Sequence, residues 1–494
     1  MAQTEPNVGK WVLLFCLIAA LHVFIFAAAF PFFNNVDEQA HFDLVVKYSH
    51  GEIPRRLEPV SAESAQYIAT FGTLEYLGDF HGEPVPPPPW TQPAEKVSRT
   101  LFADESTWKR VRNWESAQQP LYYVLAGTWW RLGRWLGFEG GQLLYWLRFL
   151  NVFFVTALVW VGYWAARLVF PDRQFLQVTV AALLAFMPQS AFYAIQNDVL
   201  SPLGFGAAFI CLIQFLRAET PGIRLGTLTG LALAMTFLAK ISNLPLLAVS
   251  GLAVIYKIIR LAKAGRLRTT APAMVALASC AGLPICGWLA WCKYAFGNFT
   301  GAAAKVALLN WTVKPFAEWW HHPIFTPHGF WIFISDLSAT FWQGELLWQR
   351  VPLASPSANM IYAMVSIVFV GVTVVLLLSR RAAITESQRQ ALWFSFGCLA
   401  ASVAFLGFLS IIYDFGDCVR PSRELPYFTS GRMILGALTP FLLLLVYGID
   451  RILSLIKNHW VKPVLLTASL LLMLASEIIT DWQAFFSHYN WFHM

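Results

Sequence analysis

The sequence predicts an all-α polytopic membrane protein, on two observations. Of its 494 residues 57% are hydrophobic and 13% charged, more apolar surface than a water-soluble fold of this length can bury. Windows of roughly 17–25 mostly apolar residues, the length that crosses a bilayer as helix, also recur along the whole chain. They fall near 11–30, 143–167, 175–196, 199–216, 224–239, 241–257, 272–292, 357–379, 391–413, 433–449 and 463–480, giving about eleven spans.

The first window ends in Ala27-Ala28-Ala29, which mimics a signal-peptidase site. Because further spans follow, it reads as an uncleaved anchor. The segment after it, 31–142, is long and polar. Its run Pro86 to Pro89 excludes a regular helix or a central strand there. Within it, QQPLYYVLAGTWWRLGRWLGF (118–138) is apolar but broken by Arg131 and Arg134 and rich in Trp and Tyr. That mixture predicts an interfacial helix lying along the headgroup layer. A second long segment, 293–356, is dense in Trp and His, and a third connection spans 414–432.

Charge separates the connections into two sets. Sixteen of the 35 Lys and Arg crowd six short ones: Lys10; Arg167 and Arg173; Arg217 and Arg224; the run from Lys257 to Arg268; Arg380, Arg381 and Arg389; and Arg451, Lys457 and Lys462. The positive-inside bias assigns these to the cytoplasm. The N-terminus is then cytoplasmic, the C-terminus outside, and 31–142, 293–356 and 414–432 share the outer face. The net charge of +7 is explained by these loops, so nucleic-acid binding is excluded as a reading. Five of the seven cysteines lie in apolar windows, and Cys292 and Cys418 near the outer face leave a single disulfide open.

No phosphate-binding loop, HExxH, paired CxxC or nucleophile elbow occurs. The candidate chemistry lies instead where spans leave the outer face. In NNVDEQAHFD (34–43), Asn35 and Glu38 resemble a capping box. A helix starting there puts Asp37 in the first turn and His41 one turn on, on the same face. Asp37 is the candidate general base, with Glu38 and His41 beside it; the alternative is that these charges only mark the end of a span. Gln119 and Tyr122 flank Pro120, which suits a helix opening. Asn197 and Asp198 read either as caps of the next helix or as supports of an acceptor. Arg148, Lys240 and Arg432 lie at the same membrane level, where unpaired charge is costly unless it meets an anion. Together they suggest a phosphate site. Adjacent His321 and His322 point apart on a regular element and make a poor metal site.

Seven segments occur in an order that resembles the GT-C superfamily of membrane glycosyltransferases, within it the bacterial branch of predicted glycosyltransferases. They are DEQAHFDLVVKYSHGEIP (37–54), QQPLYYVLAG (118–127), LRFLNVFF (147–154), MPQSAFYAIQNDVLSPL (187–203), LAKISNLP (238–245), FWQGELLW (341–348) and SGRMILGALTPFLLLL (430–445). The chain departs from the usual pattern at Gln119, where a second proline is common, and at Met433, where Tyr or Phe is.

The resemblance implies a GT-C-like fold and a polyprenyl-phosphate-linked sugar donor in a bacterial inner membrane. It further implies transfer to a glycan, lipid or protein acceptor on the periplasmic face, with Asp37 as the catalytic carboxylate. It fixes no cofactor and leaves a divalent cation open. The rival class is a transporter or lipid flippase, which predicts helices broken near the midplane and internal repeats. Neither is evident in the sequence. A nonenzymatic scaffold is the third reading.

Overall fold

In a computed structural model, the described residues are 8–490 apart from 79, 81, 82, 350, 380–383, 417 and 419. Arg380 and Arg381, counted above in a basic connection, therefore lie outside the described residues.

Helix α1 (Val8–Ala29) is followed by a helical cap made of α2 (Glu38–Ser49), α3 (Ala62–Phe71), α4 (Leu74–Leu77), α5 (Ala94–Trp108) and α6 (Leu121–Trp135). Then α7 (Gly140–Arg148) runs into α8 (Leu150–Val169), and α9 (Gln174–Ala185), α10 (Leu200–Arg217), α11 (Ile223–Ala239), α12 (Leu244–Lys263) and α13 (Leu267–Phe296) pass back and forth. A second cap holds α14 (Ala302–Leu308), α15 (Phe316–Trp319) and α16 (Pro327–Gln343) before α17 (Pro356–Leu378), α18 (Glu386–Ile412), α19 (Leu438–Leu453) and α20 (Val461–Phe485). Two short antiparallel ladders brace this second cap, pairing β1 (Thr312–Val313) with β4 (Tyr413–Asp414) and β2 (Leu347–Trp348) with β3 (Val351–Pro352).

Among the described residues, nine helical segments are long and apolar enough to cross a membrane, and Gln174–Ala185 and Ile223–Ala239 are shorter apolar helices. Burial tells their environments apart. In the segment containing α19, 89% of the apolar window is buried, as expected of a helix apolar on every side at the centre of a bundle. In α13 only 11% is buried and in α20 17%. Their outward Leu and Ile side chains require lipid as solvent.

The window 175–196 is helical only as far as Ala185. Pro188 follows, and the chain from Met187 to Val199 is irregular and buried, with two single 3-10 turns. Buried irregular backbone is tolerated where protein groups satisfy it. Asn151 Nδ2 donates to the Phe192 and Ala194 carbonyls at 3.1 and 2.8 Å, and Asn35 Nδ2 donates to Ser190 O at 3.0 Å. Glu38 accepts from Ile195 N at 3.0 Å.

At one end of the bundle the basic residues meet carbonyls and acids. Arg217 donates to Leu168 O and Ser387 O, and Arg173 pairs with Asp450 at 3.0 Å. Asp37, Asp198, Lys240 and Arg432 gather at the opposite end, beneath both caps. Cys292 and Cys418 are both free thiols, so the disulfide left open by the sequence does not form.

Candidate functional site

The chain between α1 and α2 is held in an unusual path. Phe33 and Asp37 both have left-handed backbones, with φ of 59° and 62°. Helix α2 begins at Glu38 with Asp37 as its N-cap, and the Asp37 side chain makes no capping bond. The capping box expected from Asn35 is absent, because Asn35 is spent on its own neighbour Val36 N and on Ser190 O. Released from capping, the Asp37 carboxylate points away from its helix. Its Oδ1 accepts from Trp114 Nε1 at 2.9 Å and its Oδ2 from Arg432 Nη2. His41 follows one turn on, its backbone N–H bonded to Asp37 O at 3.0 Å.

Arg432 reaches Asp37 because the preceding Gly431 lets two backbones touch. A Cβ there would lie 2.1 Å from Phe341 N. Likewise Gly344 has φ of 85° and a Cβ would meet Ser190 Oγ at 2.1 Å, so only glycine carries the chain into Glu345. The Arg432 guanidinium lies 3.5 Å from Asp198 Oδ2 and 3.5 Å from Glu345 Oε2, and donates to Gln196 Oε1 at 3.3 Å. Asp198 in turn pairs with Lys240. Neighbouring Glu115 pairs with Lys305, which comes from α14 in the second cap.

Several polar atoms in this cluster are buried without a hydrogen-bond partner: His41 Nε2, Asp198 Oδ2, Glu345 Oε1, Gln196 Nε2 and Arg432 Nε. So many together are unusual in a native interior. They leave bonding capacity for a polar ligand.

Burial by itself would raise the Asp37 carboxyl. Arg432 and Lys305 outweigh it and hold the group well below the usual carboxylate range. At His41 burial dominates, pushing the ring down to about 4 against the pull of Glu115 and Asp37. His41 is therefore neutral at physiological pH, with Tyr123 OH 2.6 Å from its Nδ1. Burial pushes Glu345 up.

The remaining sequence candidates stand elsewhere. Arg148 and Glu38 face each other, fully buried, through Nε–Oε1 and Nη2–Oε2 contacts of 3.0 Å. Arg148 spends its other N–H groups on the carbonyls of Ala27, Phe30 and Pro31. No donor on Arg148 is left for a phosphate, and Glu38 is equally committed. Gln119 Oε1 accepts from Ile241 N at 2.8 Å, and Tyr122 is buried against Tyr123. Asn197 and Asp198 lie in the 3-10 turn before α10 and cap nothing with their side chains. Asn197 Nδ2 instead joins Gln118 Oε1 and Ala239 O at 3.1 and 3.0 Å.

Among the described residues, no three His, Cys, Asp or Glu side chains converge as metal ligands. The carboxylates that meet here meet through Arg432 and Lys240, so a divalent cation does not fit the donor set.

A family model described as a predicted membrane protein (DUF2142) matches residues 20–416, most of the chain. The chain belongs to this family. The matched DUF2142 region contains Asp37, Asp198, Lys240, Lys305 and Glu345 and stops short of Arg432. No curated protein matches the chain.

Five site residues escaped the sequence reading: Trp114, Glu115, Gln196, Lys305 and Glu345. Glu345 lies inside FWQGELLW and Gln196 inside MPQSAFYAIQNDVLSPL, segments that already stood out as motifs. Lys305 lies in an alanine-rich stretch that carries no such signal.

Proposed function

We propose that this DUF2142 protein is a GT-C-type glycosyltransferase of a bacterial inner membrane. It moves a sugar from a polyprenyl-phosphate donor to an acceptor hydroxyl at the periplasmic face. The observation that carries this reading is the junction at Asp37: a carboxylate with a partly exposed side chain, bonded to an arginine whose remaining donors are not saturated. The positive-inside bias supports the orientation, because the basic connections gather at the end opposite this site.

Arg432 and Lys240 would receive the donor phosphate. While Arg432 is held on Asp37, the carboxylate is a weak base. A phosphate that draws the guanidinium toward itself relieves Asp37 of its counter-charge and raises its basicity at the moment the donor is in place. The acceptor hydroxyl then gives its proton to Asp37, its oxygen bonds to the anomeric carbon, and the carbon–oxygen bond to phosphate breaks with the electron pair leaving on the phosphate. In-line displacement inverts the anomeric centre. Arg432 and Lys240 meet the charge that develops on the leaving group. Asp198 keeps Lys240 and Arg432 aligned, and Arg148 and Glu38 hold the chain path that delivers Asp37.

The test is transfer from labelled polyprenyl-phosphate sugars by the protein reconstituted in lipid. Asn tolerates the left-handed backbone at position 37, so Asp37→Asn should fold normally and lose roughly 10²–10⁴-fold in rate. Equal rates for the two proteins would remove Asp37 from the reaction. A wild type silent with every donor would favour the transporter reading.

A further inference from the structure

A cavity lies away from this cluster, on the same end of the molecule. It is a cleft of about 410 Å³ between the chain after β1 and the chain after β4, within the size range of small-molecule sites, roughly 300–1,000 Å³.

The cleft is built rather than incidental. Its floor is the β1–β4 ladder, extended by Lys314 N bonding to Ile412 O at 2.8 Å. His322 ties the two walls, with Nε2 3.1 Å from Pro426 O and Nδ1 accepting from Ile324 N. Phe415 is buried behind it against Trp311 at 5.0 Å.

The lining fixes the kind of ligand. Glu318, Asp414 and Glu424 face Lys314 and Arg423, with His321 at the rim. One of the acids, Asp414, already holds Arg423 at 2.9 Å. Carboxylates outnumber cations, which disfavours a phosphate or any other anion. Acceptor carboxylates interleaved with donor Lys and Arg groups, set beside the Tyr413 ring, match a chain of hydroxyls with apolar sugar faces. Exposed Trp320 and Phe325, stacked at 6.2 Å next to the rim, add further aromatic surface.

The cleft also lies within reach of Arg432, the partner of Asp37. From Pro426 in its wall the chain reaches Arg432 in six residues, a span of at most roughly 20 Å. That stretch is pinned along its length: Phe428 N bonds to Ser410 Oγ at 2.8 Å, Thr429 O to Thr340, and Gly431 N to Thr340 Oγ1 at 3.0 Å.

We propose that this cleft binds the acceptor as an uncharged saccharide chain, its distal sugars between Glu318 and Glu424 and its reacting hydroxyl at Asp37. The direction of the chain rests on the transferase reading; the saccharide site itself does not.

The experiment uses the full chain in lipid nanodiscs with maltotetraose, cellotetraose, mannotetraose and chitotetraose as probes, read by saturation-transfer NMR. Glu318 and Glu424 are exposed, so Glu318→Gln with Glu424→Gln leaves the fold intact. At least one tetrasaccharide should bind wild type and Asp37→Asn alike, and bind the double variant roughly tenfold or more weakly. Equal binding to the double variant, no binding by any probe, or displacement of the sugar by inorganic phosphate would each overturn the cleft. Binding lost in the double variant from a protein that transfers nothing would keep the cleft and sink the transferase. Transfer with a KM indifferent to the double change would do the reverse.

Discussion

Two arginines lie buried at the same end of this molecule, and they are opposites. Arg148 has every N–H donor occupied, by both oxygens of Glu38 and by three carbonyls at the end of α1. Arg432 touches three carboxylates, yet its Nε has no hydrogen bond, and oxygens of Asp198 and Glu345 beside it have none either. Saturation locks a structure in place, whereas an under-satisfied cluster keeps bonding capacity for something that arrives later. Equal burial and equal charge thus serve opposite ends, and the hydrogen-bond inventory tells them apart.

The comparison breaks first at Arg148. Arg148→Met leaves Glu38 as a buried, unpaired charge, which costs about 3–5 kcal/mol. Thermal unfolding in detergent should reveal this as loss of the folded protein. Changing Glu38 to Leu as well removes the orphan charge but leaves the carbonyls of Ala27, Phe30 and Pro31, at and just after the end of α1, without this donor, so the double variant should recover only in part. Full recovery would mean that Arg148 matters as an ion-pair partner alone and not as the cap of α1.

At Arg432 the expectation reverses. Arg432→Met should cost less stability than Arg148→Met, since the Asp37 and Glu345 side chains it uncovers are 19% and 20% exposed, Asp198 keeps Lys240, and no backbone carbonyl loses a donor. Transfer should fall by roughly 10²–10³, the loss that follows removal of one group stabilising developing charge. A variant that unfolds while the residual folded fraction remains active would put Arg432 in the same class as Arg148.

His41 sharpens the contrast through pH. The unfolded chain binds a proton on this residue near 6.5, the folded chain only near 4. Between those values the unfolded state holds more protons, so the contribution is complete above 6.5 and is lost as pH falls toward 4. The difference is on the order of 3 kcal/mol. Unfolding midpoints measured near pH 7.5 and near pH 5 should separate for wild type, and His41→Gln should remove this part of the slope. An unchanged slope would assign the acid sensitivity to other groups.

The contrast also marks what the sequence made legible. Apolar windows and basic connections locate the helices well, because lipid solvation and the positive-inside bias act on local composition. Asp37, Asp198, Lys240 and Arg432 stood out for a related reason: polar residues at span ends are costly without a partner. Composition does not say which partner each will find. Arg148 and Arg432 look alike as residues at one membrane level, and only the fold brings Ala27, Phe30 and Pro31 to the first and Gly431 to the second. The short α9 was missed because Pro188 ends the helix inside a run that hydropathy alone reads as continuous. Glu115 and Lys305 are joined from segments 190 positions apart, a separation at which no local pattern operates.

Lys305 is the intermediate case and carries the smallest expected effect. It comes from α14, in which no residue is buried, and its side chain is 30% exposed, while its partner Glu115 is 2% exposed. One half-buried partner, reached by solvent, makes this pair weaker than the fully buried Arg148–Glu38 pair. Lys305→Gln keeps a donor for Glu115, to which Gln118 also donates, and removes only the positive charge, so the loss of stability should be small beside that at Arg148 and transfer should fall by roughly a fewfold. Added salt should shrink the difference between wild type and variant, since the screening length is about 10 Å at 0.1 M. A salt-insensitive deficit would mean that Lys305 acts by holding α14 over Asp37, and the second cap would then belong with the saturated knot around Arg148 and not with the open cluster around Arg432.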